Sequence, residues 1–91
     1  MTEPYEVDLA AAARRGLAEK LPVDVAMGIV EFIFGPLGDN PHRLGKELDP
    51  PYEGVHSARV MREWRVLYII DDKARRIRIK AMGHRRDVYR S

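Results

Sequence analysis

The spacing of apolar residues along this chain changes period twice, and the changes divide it into elements. Tyr5-Glu6-Val7-Asp8-Leu9 alternates apolar with polar and predicts a short first strand. Residues 10–21 are alanine-rich and predict a helix, weakened in the middle by Gly16 and ended by Pro22. A second helix is expected from Asp24, read as its N-cap, with Ala26, Ile29, Val30, Ile33 and Phe34 at helical spacing as core positions before Gly35-Pro36 stops it. Residues 35–54 hold four of the six prolines and four of the seven glycines, which excludes regular structure longer than a turn or two. Alternation then returns at residues 55–60, 63–70 and 76–82, three strands rich in Val, Ile, Trp and Tyr, with Asp71-Asp72-Lys73-Ala74 turning between the last two.

The resulting order, β-α-α-β-β-β, predicts an α+β fold in which two N-terminal helices pack on one face of a small antiparallel sheet. At 91 residues the chain forms a single domain, 1–91, with one modest core. Strand parity then carries the first functional signal. Trp64, Val66, Tyr68 and Ile70 share one face, and Arg65, Leu67 and Ile69 share the other. If the first set meets the helices, Arg65 projects from the open face. An arginine inside an otherwise apolar strand is costly unless it has a partner or a purpose, and the plain structural alternative is an ion pair with Glu63 or Asp87. In the last strand Ile77, Ile79 and Ala81 alternate with Arg78, Lys80 and Met82, which predicts a second cationic row on that same open side. Leu67, Ile69 and Met82 would form an exposed apolar strip there.

The net charge of +2 conceals an asymmetry: residues 1–55 hold 5 Lys+Arg against 10 Asp+Glu, and residues 56–91 hold 11 against 4. A cationic half-domain attracts polyanions with a salt-dependent affinity, so nucleic acid is the first partner to consider, and an acidic protein surface is the other. The chain has no cysteine, which removes disulfides and thiolate metal sites. The histidines at 42, 56 and 84 lack ligand spacing, so neither metal nor other cofactor is expected. No apolar run approaches a membrane span, and the acidic start is unlike a signal peptide, so no membrane partner and a cytoplasmic location are expected. The tail Gly83-His84-Arg85-Arg86-Asp87-Val88-Tyr89-Arg90 concentrates groups suited to an RNA phosphate: arginine forks match phosphate oxygens, and tyrosine stacks on a base or moves a proton. A solvated basic tail is the bland alternative.

Three phrases resemble the RelE/ParE superfamily of toxins from toxin–antitoxin pairs, and within it the RelE-like mRNA interferases. Asn40-Pro41-His42-Arg43-Leu44-Gly45-Lys46 is similar to the family's segment before the second strand. Glu63-Trp64-Arg65-Val66-Leu67-Tyr68 is similar to its strand motif, and Gly83-His84-Arg85-Arg86-Asp87-Val88-Tyr89 to its tail. The resemblance spans nearly the whole chain and implies the toxin of a type II system, a ribosome-dependent endoribonuclease that cuts mRNA in the ribosomal A site and is restrained by a cognate antitoxin. It implies that Arg65 contacts the scissile phosphate, that Arg85 stabilises charge on the leaving side, that Tyr89 stacks on the codon and assists proton transfer, and that Arg59 holds RNA backbone. Familiar members carry two lysines on the second strand, one suspected as general base. This chain has Val55-His56-Ser57-Ala58-Arg59 there, so either a histidine takes over, with His84 and His56 as candidates beside a structural role for each, or activity is weak, or the target is different.

Cleavage of RNA without a metal needs no protein nucleophile, because the ribose 2′-OH attacks the adjacent phosphate. The protein must take the 2′ proton, neutralise the phosphorane's charge and protonate the departing 5′ oxygen. The expected catalytic set is Arg65, Arg85, Tyr89 and His84, with Arg59, Lys80, Arg86 and Arg78 holding RNA. The principal alternative is a ParE-like inhibitor of DNA gyrase without nuclease activity. A third reading is a non-catalytic module whose basic groove only binds its antitoxin.

Overall fold

The computed structural model describes residues 3–89. Strand β1 (Glu6–Leu9) leads into helix α1 (Ala11–Arg15), which continues as a π-helical turn over Gly16–Lys20, and helix α2 (Val23–Phe34) returns across the sheet. Two single-turn helices, α3 (Pro36–Asp39) and α4 (Pro41–Leu44), precede strands β2 (Gly45–Glu47), β3 (His56–Val60), β4 (Trp64–Asp71) and β5 (Arg76–His84). The α+β class and the helices on one sheet face are as expected. The sheet, however, is mixed: its order is β1-β5-β4-β3-β2, and β1 runs parallel to β5, Glu6 opposite Arg76 and Leu9 opposite Ile79. Alternation in β1 specifies which side chains point inward and is silent on the direction of its neighbour.

The core lies between the helices and the inner sheet face, where Ala13, Ile29, Ile33, Leu37, Val66, Tyr68, Ile77 and Ile79 are fully buried. Tyr68 reaches through it to donate a hydrogen bond to the Pro41 carbonyl at 2.6 Å, and burial pushes its hydroxyl up to about 12. That hydroxyl lies so close to Gly45 that a β-carbon there would collide with it. Tyr68 thereby fixes both α4 and the start of β2.

Three expectations are corrected. Pro22, not Asp24, occupies the N-cap position of α2, and Asp24 sits in the first turn, where a carboxylate favours the helix dipole. On α2 the buried face is Val25, Ile29 and Ile33, whereas Val30 and Phe34 are exposed with Val23 and Met27. In β5 the register skips Lys80: Leu67 pairs with Ala81 and Tyr68 with Ile79. This β-bulge inverts parity beyond it. Met82, opposite Val66, therefore packs against the core and Gly16, while Ala81 joins Leu67 on the open face. Leu67 itself is only 7% exposed, so the expected open apolar strip is reduced to Ile69.

Candidate active site

The β3–β4 hairpin places Arg59 directly opposite Arg65. Their flanking pairs, Ala58 with Val66 and Val60 with Trp64, belong to the inner face, so both arginines stand on the open one. Like charges in that position repel. The Arg65 guanidinium turns back toward the hairpin instead, donating through one nitrogen to the carbonyls of Arg62 at 2.8 Å and Trp64 at 3.0 Å. Met61 and Arg62 both adopt left-handed backbone, φ 50° and 67°, which costs a side-chain-bearing residue roughly 1–2 kcal/mol each. The strained turn thus presents the carbonyl that holds Arg65. Glu63 does not pair with Arg65, and neither does Asp87; the ion pairs among the described residues lie elsewhere.

Edge strand β2 adds Lys46, opposite Ser57, to the same face. The tail folds over from the far side: Asp87 and Val88 donate backbone hydrogen bonds to the His84 carbonyl, and Val88 is buried. Tyr89 then lands with its hydroxyl 2.9 Å from Ser57 Oγ. Tyr52, from the β2–β3 loop, donates to the Tyr89 carbonyl at 3.2 Å and stands edge-on to its ring at 6.3 Å. The result is a cleft of about 350 Å³ lined by Leu44, Gly45, Lys46, Leu48, Ser57, Arg59, Arg65 and Tyr89. Its charged lining is cationic throughout, with an aromatic wall. That combination suits a phosphate with a base attached.

The other expected residues are distributed around this cleft. Arg85 does not line it; it follows Gly83, which pairs with Arg65, and its Nε sits 2.8 Å from the Glu63 carboxylate while its backbone N–H donates to the Glu63 carbonyl. Lys80, the bulge residue, borders an adjoining hollow of about 240 Å³ whose wall also includes Tyr52, Leu67 and Tyr89. Arg78 is ion-paired with Asp8 at 2.5 Å, as β1 brings an acid alongside it. The Arg86 side chain is exposed, its backbone N–H donating to His84 Nδ1 at 3.2 Å. Arg90 of the tail lies outside the described residues.

Both candidate histidines fall on the other side of the sheet. His84 pairs with inward-facing Trp64, edge-on at 5.4 Å, and its Nε2 is 3.6 Å from Glu63. His56 stacks on Tyr68 at 5.5 Å, and desolvation holds it below the ordinary histidine range. Sequence reasoning passed over Lys46, Ser57 and Tyr52 as site residues. Ser57 was accessible from parity, being in phase with Arg59. Lys46 and Tyr52 sit in the Pro/Gly-rich segment, where no periodicity could aim them.

Scanned against protein-family models, the chain matches none. It is 48% identical over 87 residues to Toxin RelE of Mycobacterium tuberculosis, covering 96% of this chain and 88% of the relative. Toxin RelG of the same organism is 42% identical over 87 residues, covering 96% and 98%. Among solved structures, the toxin–antitoxin complex RelBE2 of M. tuberculosis superposes with a TM-score of 0.87 at 40% identity, covering 96% of this chain and 98% of the matched one. With identity of this order along nearly its full length and the same fold, the chain belongs to the RelE family of toxins of toxin–antitoxin systems.

Proposed function

We propose that this toxin is a ribosome-dependent endoribonuclease that cleaves mRNA in the A site, acts in the cytoplasm and is neutralised by a cognate antitoxin. The observation that carries this reading is the pair of opposed arginines, Arg59 and Arg65, beside Lys46 and Tyr89 in one cleft. In the reaction the ribose 2′ oxygen forms a bond to phosphorus in line with the breaking bond to the 5′ oxygen. A proton leaves the 2′-OH and one is delivered to the 5′ oxygen, giving a 2′,3′-cyclic phosphate and a 5′-OH. No metal enters this scheme. Arg65, with Arg59 behind it, neutralises the phosphorane; arginine acts electrostatically because its pKa exceeds about 12. Arg85, held by Glu63 outside the cleft lining, is assigned the role of leaving-side cation. Tyr89 shares a hydrogen bond with Ser57 and is the cleft's group for stacking and proton exchange, with Lys46 second. His84 is not assigned the base, since its ring lies across the sheet against Trp64.

The test is primer-extension mapping of a defined mRNA in a bacterial cell-free translation reaction, with ribosomes omitted in one arm and Arg65→Ala in another. Cuts at A-site codons that need both ribosomes and Arg65 are expected, with the variant about 10²–10³-fold slower. Intact mRNA in every arm would sink the proposal and direct attention to a gyrase supercoiling assay.

A further inference from the structure

The outward cations of β5 meet unlike neighbours. Arg76 and Arg78 each receive a carboxylate from β1, Glu6 at 3.4 Å and Asp8 at 2.5 Å. Strand β1 stops at Leu9, opposite Ile79, so it brings no acid alongside Lys80, which is exposed and enters no ion pair among the described residues. Lys80 is also the residue that the β4–β5 register skips. A bulge re-aims the side chain it carries, and bulges recur beside active sites for that reason. Here it sets Lys80 in the wall of the hollow of about 240 Å³, with Tyr52, Val55, Leu67, Val88 and Tyr89. Lys80 is the single charged residue of that wall.

The hollow and the cationic cleft share Tyr89. Along β4, Leu67 of the hollow follows Arg65 of the cleft by two residues on the same face, about 7 Å at about 3.4 Å per residue. A ribose bridges such a span between its phosphate and its base. Tyr52 and Tyr89 are both exposed, and aromatic rings beside an apolar recess hold a base by stacking. The recess is smaller than the roughly 300–1,000 Å³ of a drug-sized ligand site, so it suits one base. An ammonium donates three hydrogen bonds and accepts none. Guanine offers it N7 and O6 and uracil a carbonyl, whereas adenine and cytosine present an amino group on the same edge. We infer that the hollow is a pocket for the base adjoining the cleft-bound phosphate, and that Lys80 selects there a keto base, guanine or uracil, over an amino base. The inference rests on the RNA-cleaving reading of this site and adds its base preference. Lys80 acts as a specificity residue, outside the set that works on the phosphate.

The test is fluorescence anisotropy with four labelled 2′-O-methyl trinucleotides, uncleavable because the attacking hydroxyl is blocked, and abasic apart from a central guanine, uracil, adenine or cytosine. The guanine and uracil oligomers should bind about tenfold more tightly than the adenine and cytosine ones, the discrimination of one good base contact. Lys80→Met, which keeps the stem and removes the donors, should erase that ratio with circular dichroism unchanged, and Lys80→Arg should retain it. Arg65→Ala should weaken all four oligomers alike and leave the ratio as it was. The inference is overturned by equal affinity for the four bases, by no binding of any, or by a preference that survives Lys80→Met. Cleavage mapping in the cell-free translation reaction separates the two readings: a Lys80-dependent preference with mRNA uncut removes the nuclease and leaves the pocket, and cut mRNA with equal affinities does the reverse.

Discussion

Gly45 shows how one absent side chain supports the site. The Tyr68 hydroxyl occupies the space that a β-carbon would need, and the Ser57 carbonyl lies 3.0 Å from that point. Gly45→Ala should therefore cost about 1–3 kcal/mol in denaturant unfolding. It should also weaken RNA binding by displacing Lys46 next along β2. Glu63 is the complementary case, because its carboxylate and its carbonyl both hold Arg85. Glu63→Gln keeps the shape and removes the charge-assisted contact, so cleavage should fall, though less than in Arg85→Ala. Equal losses in the two variants would mean that Arg85 serves only to anchor the tail. At this scale the sequence was informative wherever parity decided orientation: Arg65 on the open face follows from Trp64, Val66 and Tyr68 turning inward. It was uninformative for His84, whose direction depends on a bulge that alternation does not reveal.

Among the elements, that bulge has the widest effect. Lys80 is the extra residue that allows Ile77 and Ile79 to face the helices on one side of it and Met82 on the other. Deleting Lys80 would remove the bulge and leave Ala81 opposite Leu67 on the open face and Met82 opposite Val66 in the core, because the extra residue is the one that the register skips. Deletion of Lys80 should therefore change the melting temperature by circular dichroism little, whereas Met82→Ala, which empties the inward site, should cost about 2–5 kcal/mol. Most elements were legible, because long apolar periods and Pro/Gly punctuation locate helices and strands whatever their neighbours. Three features were not. Strand β2 is three residues inside a loop-forming segment, too short to show a period. The direction of β1 depends on β5, about seventy residues away. On α2 the apolar residues extend around two faces, and periodicity does not say which face finds its partner within the chain.

For the molecule as a whole, charge and burial set the response to solution conditions. The cleft's three cations, Lys46, Arg59 and Arg65, should give single-stranded RNA binding a log–log salt slope near about −2, at about −0.7 per phosphate neutralised. Fluorescence titration across salt concentrations measures it, and a flat profile would place the RNA elsewhere. Stability should fall in mild acid. His56 Nδ1 is buried without a hydrogen-bond partner among the described residues, and its folded-state pKa is depressed by desolvation. Below the ordinary histidine pKa of about 6.5 the unfolded chain takes up a proton that the folded one resists, so stability declines as pH drops through that range. His56→Phe, which keeps a ring against Tyr68, should flatten the melting temperature between about pH 7 and about pH 5. The pairing of β1 with β5 has a consequence for the order of events in synthesis. Glu6 finds its sheet neighbour only when Arg76 exists, and the strand that supplies it also delivers Ile77 and Ile79 to the core and then the tail that walls the cleft. A chain emerging from its own ribosome therefore cannot complete either fold or site until β5 and the tail as far as Tyr89 have been joined. Such a non-local closure leaves the cleft unwalled for as long as β5 is missing.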